Sequence, residues 1–360
     1  MENGRAKSIA PRWWSGLWRT PMPAFGCEIS DTGISVARWR GGSSGIDAAA
    51  WKPLQAGIIE ASPLRENILK PDEAQRAFAE VLASLGIERP APSARNLTEA
   101  VLVIPDQSAR LFVLNFDTFP SRASERLPLV KWRLKKSLPF DVESAAISYF
   151  VQRTGTDLQV VAVAAPQWIV RQYEALAQQF GLLPKFVTLS TLASLGLVND
   201  LNGNSAHPSA PGDWVPDQAG GGETRELSGA PGVLVAKYSP PWFTTAILQG
   251  GMLRLFRTVG LEQGENDSLS PADVLGSVYP SIAYFQDHFH ATISRGLLCG
   301  LGDHSASIAE ALERELKLRT GALVPDPGRL VSGIEGGIDG NQAERHFAAL
   351  LGVVREQNNG

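Results

Sequence analysis

The sequence contains little cysteine, no long apolar run and no excess of basic charge. Cys27 and Cys299 are the only cysteines among 360 residues, which excludes a disulfide framework and a CxxC metal pair. No apolar run reaches the roughly 18 residues that a transmembrane helix needs. The formal net charge of -4 argues against nucleic acid as a partner. These absences predict a folded protein of a reducing cytoplasm.

The composition is that of an ordinary folded domain. Hydrophobic residues make up 44% of the chain and charged residues 19%. A chain of 360 residues is too long for one simple core, which favours two lobes or several subdomains. No spacing of histidine, cysteine or acidic residues predicts a metal site, and no catalytic set is visible.

Residues 1–24 form a basic leader without the apolar segment of a secretory signal. Arginine and lysine surround Trp13, Trp14 and Trp18, a mixture that suits the headgroup layer of a membrane. Two interpretations stay open: peripheral membrane contact, or a flexible leader whose tryptophans pack on the rest of the protein.

Hydrophobic periodicity predicts two α/β halves, each opening with a strand–turn–strand unit. The first half has strands over 25–40, 100–104, 109–116, 147–152, 158–165 and 185–188, and helices over 71–85, 124–136, 166–179 and 192–198. Residues 201–231 are rich in Gly, Pro, Ser and Asn and predict a disordered loop. The second half has strands over 233–237, 243–248, 252–258, 296–301 and 322–324, and helices over 271–288, 305–316 and 343–355. This order is the layout of the actin-like ATPase fold.

The segment from Trp132 to Asp141 reads as the end of a basic helix followed by a proline stop, since proline lacks a backbone donor. With its Leu138-Pro139-Phe140 turn, it resembles a signature of the PilM family of type IV pilus assembly proteins. Other segments resemble the same family in order, among them 103–105, 180–184, 248–257, 281–285 and 347–352.

The resemblance implies an actin-like ATPase fold, related to that of FtsA, with two lobes and an inserted subdomain in the first lobe. The first lobe would comprise 25–105 and 166–200 with the C-terminal helix 343–355, the inserted subdomain 106–165, and the second lobe 232–335.

The family also implies a nucleotide site built from one glycine-containing turn in each lobe. Glu28, Thr32, Gly300 and Gly302 are the candidate residues for ATP and Mg²⁺. Both turns depart from the family pattern: Glu28 stands for an aspartate, and residues 235–242 carry alanine, tyrosine and two prolines where the family has Val-Asp-Ile-Gly-x-x-x-Thr. Prolines remove backbone donors from a phosphate cradle. We therefore expect weak or absent ATP hydrolysis, with ATP and Mg²⁺ binding left open and no catalytic residue assigned.

By resemblance, the protein is expected to be a cytoplasmic scaffold, peripheral at the inner membrane. It would bind the cytoplasmic peptide of a PilN-like membrane protein and link it to the pilus motor components. Leu138, Pro139 and Phe140 are the candidate partner-binding residues. The alternatives are an active actin-like ATPase or sugar kinase, a GspL-like component of type II secretion, and a polymerising filament.

Overall fold

The structure is a computed structural model that describes residues 23–39, 46–87, 97–154, 157–198, 230–261, 269–324 and 340–358. The leader 1–24 and the predicted loop 201–231 therefore lie outside the described residues, apart from the last two of each.

The described residues form an α/β structure of three sheets with helices around them. The strands are β1 (Phe25–Ile29), β2 (Gly33–Arg38), β3 (Ala48–Pro53), β4 (Thr98–Ile104), β5 (Arg110–Asn115), β6 (Ala145–Thr154), β7 (Asp157–Pro166), β8 (Leu182–Leu189), β9 (Gly232–Ser239), β10 (Trp242–Gln249), β11 (Met252–Gly260), β12 (Ile293–Cys299) and β13 (Thr320–Ala322). The helices are α1 (Pro71–Ser84), α2 (Ala123–Leu134), α3 (Gln167–Gln178), α4 (Ser190–Ser194), α5 (Pro271–Phe289), α6 (Ser305–Leu316) and α7 (Gly340–Asn358).

Two five-stranded sheets have the same topology. The first-lobe sheet has the order β3-β2-β1-β4-β8 and the second-lobe sheet the order β11-β10-β9-β12-β13. In each, the first strand pairs antiparallel with the second and parallel with the fourth. Strands β1 and β9 are therefore equivalent strands of the two lobes, and the prediction of two α/β halves is confirmed.

A third sheet, of order β5-β7-β6, forms the inserted unit between β4 and α3. Strands β6 and β7 make a long antiparallel hairpin, as the sequence predicted. Helix α2 packs on one face of this sheet, where Val130 and Leu134 join Leu158, Val160 and Ala162 in a separate small core. The insert thus has a hydrophobic core of its own, which fits a subdomain inside the first lobe.

Several predicted boundaries are wrong in detail. The last strand spans Thr320–Ala322 rather than 322–324. Leu323 still donates its N–H to the Leu298 carbonyl of β12, and Leu323 and Val324 are buried in the main core. Helix α2 ends at Leu134, and Ser137 and Leu138 donate their N–H groups back to the Leu134 carbonyl before the proline. Such bonds close the last turn of a helix whose final carbonyls have no helical partner.

The main core extends across both lobes. Val235, Leu253, Leu297 and Cys299 of the second-lobe sheet belong to the same buried cluster as the first-lobe strands. The opposite face of the second-lobe sheet packs against α5 and α6 in a second cluster. Helix α7 packs on α4 and reaches β1, β2 and β12, so it also touches both lobes. In the part of the chain described, no helix is long and apolar enough to span a membrane.

Candidate functional site

The candidate site is the seam where β1 and α4 of the first lobe meet β9 and β10 of the second. Side chains of β9 alternate between two environments, as the period of a strand requires. Leu234, Ala236 and Tyr238 pack into the second-lobe core, whereas Val235 belongs to the main core. Lys237 shares the Val235 side of the strand and therefore points at the first lobe.

Lys237 is buried at this seam, with 3% of its surface exposed. Its ammonium group donates to Ser190 Oγ at 2.5 Å and to Ser194 Oγ at 3.0 Å, and lies 3.9 Å from Glu28 Oε1. The Ser190 hydroxyl in turn donates to Glu28 Oε1. Both serines are on α4, and Ser194 also donates to the Ser190 carbonyl. A buried charge needs a partner and hydrogen bonds, and this cluster supplies both from protein groups alone.

Burial raises the pKa of Glu28, and the Lys237 charge and the Ser190 hydrogen bond act in the opposite direction. Asp106 adds a smaller effect that also raises this pKa. The carboxyl of Glu28 is thus committed to protein partners, although the sequence pattern assigned it to a metal or nucleotide.

Asp106 makes a second link between the lobes. It lies in a short 3-10 turn after β4, and one carboxylate oxygen accepts the Thr191 N–H of α4 at 2.9 Å. The other oxygen accepts the Thr191 hydroxyl and, at 2.8 Å, the hydroxyl of Thr244 on β10. A carboxylate at a helix start satisfies free N–H groups, and here the same group also holds the opposite lobe.

The turns that begin the two lobes touch each other directly. Asp31, in the β1–β2 turn, accepts the indole N–H of Trp242 at 3.1 Å and the Ala61 N–H at 3.0 Å. Trp242 follows the Pro240-Pro241 turn that joins β9 to β10. Burial raises the pKa of Asp31 to about 7. The first-lobe turn therefore contacts the second-lobe turn without an intervening group.

The two glycines after β12 have different surroundings. The Gly300 N–H donates to Glu344 Oε1 at 3.2 Å, and a Cβ added at Gly300 would lie 2.1 Å from the Tyr238 carbonyl oxygen. At Gly302 an added Cβ would meet only Arg345, at 3.7 Å. Gly300 and Gly302 both have positive φ, of 77° and 54°. Glycine is needed at Gly300 by close backbone approach as well as by this backbone conformation.

The inserted subdomain is also fastened to the second lobe. The Gln152 amide donates to the Leu253 carbonyl at 2.9 Å and accepts the Leu253 N–H at 2.8 Å. Beside it, Arg254 donates to Gln159 at 2.7 Å. All of these groups are buried, and each polar atom named here has a partner.

Of the four residues proposed from the sequence for nucleotide binding, Glu28 lies within the seam and Gly300 beside α7. Thr32 lies in the β1–β2 turn, where its hydroxyl is 3.3 Å from the Ser30 hydroxyl. Sequence reasoning missed Lys237, which it treated only as part of a damaged turn. Its position in an otherwise apolar strand could have indicated a buried, paired lysine, since lysine is almost never fully buried without a partner.

The residues proposed for partner binding lie in the insert. Leu138 and Phe140 are partly buried and pack against the small core under the three-stranded sheet, while Pro139 is exposed. Trp132, near the end of α2 and six residues before Leu138, has 69% of its surface exposed.

No protein-family model matches the sequence, and no curated protein matches it significantly. Among solved structures, the chain is similar to the PilM-PilN type IV pilus biogenesis complex, with a TM-score of 0.66 and 16% identity over 94% of this chain and 99% of that chain. The chain has the actin-like ATPase fold. The predicted fold class is therefore confirmed.

Less similar solved structures have TM-scores below one half. One is to a Bacteroides thetaiotaomicron protein described as having an actin-like ATPase fold, with a TM-score of 0.42 and 8% identity over 84% of this chain and 91% of that chain. Another is to the cytoplasmic domain of EpsL, an inner membrane component of the Vibrio cholerae type II secretion system, with a TM-score of 0.41 and 10% identity over 76% and 81%.

Proposed function

We propose that this chain is a PilM-type scaffold of type IV pilus assembly, acting in the cytoplasm at the inner membrane. The similarity to the PilM-PilN complex over 94% of this chain and 99% of that chain is the observation that carries the proposal. The ordered sequence segments that resemble the family support it independently. With it we propose the division into first lobe, insert, loop and second lobe given from the sequence.

The partner in this proposal is the short cytoplasmic peptide of a PilN-like membrane protein, which the scaffold links to the pilus motor components. The insert offers two features that suit an extended peptide. Strand β6 lies at the edge of its sheet, with β7 as its hydrogen-bonded neighbour. Ile147 on this strand and Phe140, five residues before it, are apolar and only partly buried. An edge strand gives backbone bonds and adjacent pockets give side-chain selectivity.

The proposal includes a degenerate nucleotide site. Phosphates and Mg²⁺ require free backbone N–H groups, glycine turns and available carboxylates. In this chain Glu28 is paired with Ser190 and Lys237, and Asp31 is bonded to Trp242. The second turn carries Pro240 and Pro241, which have no N–H to donate. These residues do not fit Mg-ATP, and no catalytic step through nucleotide follows from them.

Peripheral contact with the membrane is the remaining part of the proposal. The tryptophans of the leader, Trp13, Trp14 and Trp18, lie outside the described residues. Within the described part, exposed Trp132 has Lys135 and Lys136 three and four positions along the chain. These lysines follow the end of α2 and are exposed like Trp132, and lysine and tryptophan suit lipid headgroups.

Calorimetric titration tests the proposed partner. A synthetic peptide from the cytoplasmic N-terminus of a candidate PilN-like protein is titrated into the whole protein, the Phe140→Ala variant and the Trp168→Ala variant. Trp168, exposed on α3, serves as the matched control. We expect binding by the unchanged protein and the control, and weaker binding by Phe140→Ala with an unchanged circular dichroism spectrum. Absence of binding by the folded, unchanged protein would contradict the partner assignment.

A further inference from the structure

The strands that open the two lobes carry opposite charges toward each other. Glu28 lies on β1 and Lys237 on β9, the equivalent strand of the second lobe. Both are buried, at 8% and 3% exposure. A charge at this depth is stable only with partners, and each finds its partner across the seam. We propose that the Lys237 ammonium is a built-in cation that holds the two lobes closed without nucleotide.

The bonds of Lys237 make it a cross-link rather than a local ion pair. Its hydrogen-bond acceptors are two hydroxyls of α4, and its ion-pair partner, 3.9 Å away, is a carboxylate of β1. All three groups belong to the first lobe, while the backbone of Lys237 belongs to the second-lobe sheet. Opening the lobes would leave an ammonium and a carboxylate without their fixed partners. A small opening that admits no water would leave both charges buried without their partners. The closed arrangement is therefore electrostatically favoured over such an opening.

Neighbouring contacts favour the same closed arrangement. Thr244 binds Asp106 and Trp242 binds Asp31 across the seam, and Gln152 binds the Leu253 backbone from the insert. The two lobes also share a hydrophobic core. Nothing in this set requires a phosphate or a metal to bridge the lobes. This inference rests on the proposed loss of nucleotide binding, but not on the identity of the pilus partner.

The two cysteines provide a direct measurement of opening. Cys299 lies at the end of β12 opposite Lys237 in the strand register, and Lys237, Glu28 and Glu344 all act electrostatically on its thiol. Cys27 is buried in the first lobe, and only burial raises its pKa. Both thiols are free and fully buried. Cys299 therefore reports opening of the seam, and Cys27 reports loss of the first-lobe core.

The experiment is the rate of thiol labelling by a disulfide reagent, followed separately in the Cys27→Ala and Cys299→Ala backgrounds. In the unchanged seam we expect both cysteines to be labelled slowly, with no further slowing of Cys299 by Mg-ATP. Lys237→Met should accelerate Cys299 labelling by at least about tenfold and affect Cys27 much less. Loss of a nearby positive charge would by itself slow a thiolate reaction, so acceleration identifies opening.

Two further variants keep the test decisive. Lys185→Met removes an ion pair with Glu99 that lies wholly within the first-lobe sheet, and it should leave Cys299 labelling unchanged. If Lys237→Met does not fold, Lys237→Gln removes the charge but keeps an N–H donor for the α4 hydroxyls, and it should accelerate Cys299 labelling more modestly.

The outcomes separate the two proposals. If calorimetry detects Mg-ATP binding and Mg-ATP slows Cys299 labelling, nucleotide closes the lobes and both the degenerate site and the built-in cation are wrong. If Mg-ATP does not bind but the Lys237→Met or Lys237→Gln variant labels like the unchanged protein, only the built-in cation is overturned.

Discussion

Lys237 lies 3.9 Å from Glu28 and joins the equivalent first strands of the two lobes through a buried ion pair. The Ser190 hydroxyl lies between the two charges, accepting from Lys237 and donating to Glu28. Glu28, one member of this pair, is a residue that the sequence resemblance assigned to a nucleotide site.

The first prediction concerns the stability that depends on this pair. Lys237→Met should lower the free energy of unfolding by roughly 3–5 kcal/mol, because it leaves Glu28 buried without its charge partner. The double variant Glu28→Gln with Lys237→Met should lose less than Lys237→Met alone, since neither charge remains. Urea denaturation followed by circular dichroism measures both.

The matched control is Lys185→Met, whose pair with Glu99 is partly exposed, at 21% and 49% for the two side chains. An exposed pair contributes about 0–1 kcal/mol, so this variant should change stability little. Equal losses for Lys237→Met and Lys185→Met would show that the buried seam pair contributes no more to stability than the partly exposed pair.

A second prediction separates the two glycines that the sequence assigned to nucleotide. Gly300→Ala places a methyl group 2.1 Å from the Tyr238 carbonyl oxygen at a φ of 77°, whereas Gly302→Ala at 54° meets only the flexible Arg345. Both pay for left-handed backbone, about 1–2 kcal/mol, but only Gly300→Ala must also displace a strand. Thermal unfolding should therefore show a clearly larger loss of stability for Gly300→Ala. A larger loss for Gly302→Ala would mean that the backbone conformation of the turn, and not the contact with β9, determines the cost of replacing these glycines.

How much of this molecule the sequence predicts depends on the kind of interaction. Alternation and helical periodicity found most strands and helices because one face of each element is buried against a large core, as in α5 with Val274, Val278 and Phe285. Boundaries failed where tertiary packing decided them. Leu323 and Val324 have strand-like composition, yet the strand ends at Ala322 and both residues are buried in the main core.

The candidate site was predictable only in part. Glu28 was found because it occupies a position that the family resemblance marks, but its partner Lys237 is 209 residues later, and nothing local connects them. Hydrophobic periodicity describes single strands and helices and does not predict how two sheets are placed relative to each other. It therefore cannot predict a pair that forms between the sheets. The polar residue in an apolar strand was visible, and its burial could have been expected from the strand around it.

A third prediction concerns the attachment of the insert to the second lobe. Gln152→Met keeps the volume of the side chain but removes both bonds to the Leu253 backbone, leaving a buried N–H and a buried carbonyl without these partners. We expect a loss of about 1–3 kcal/mol in urea unfolding.

Gln178→Met on the exposed end of α3 is the control for this substitution and should change stability by no more than about 0.5 kcal/mol. Hydrogen exchange gives a local measurement: the Leu253 amide should exchange faster in Gln152→Met than in the control. An unchanged exchange rate would mean that water or another group replaces the glutamine.

The last prediction is a pH dependence that originates at Asp31. Burial raises the pKa of its carboxyl from 3.8 to about 7, even though the Ala61 N–H and the Trp242 indole act in the opposite direction, and nearby Glu60 raises it further. Between about pH 4 and pH 7 the native chain therefore keeps a proton that the unfolded chain has released. Stability from this group falls as the pH rises through that range, by at most about 1.4 kcal/mol per pH unit, and levels off above pH 7.

Urea denaturation at pH 5, 6, 7 and 8 checks this dependence by comparing the protein with Asp31→Asn. The asparagine does not titrate, so the stability of the unchanged protein relative to the variant should decline from pH 5 to pH 7 and then stay constant. In NMR spectra, the Trp242 indole N–H resonance should move with a midpoint near pH 7, because its acceptor changes charge there. A stability difference that does not vary with pH, together with a fixed indole resonance, would show that Asp31 titrates far from neutrality and that the contact between the two turns is insensitive to pH.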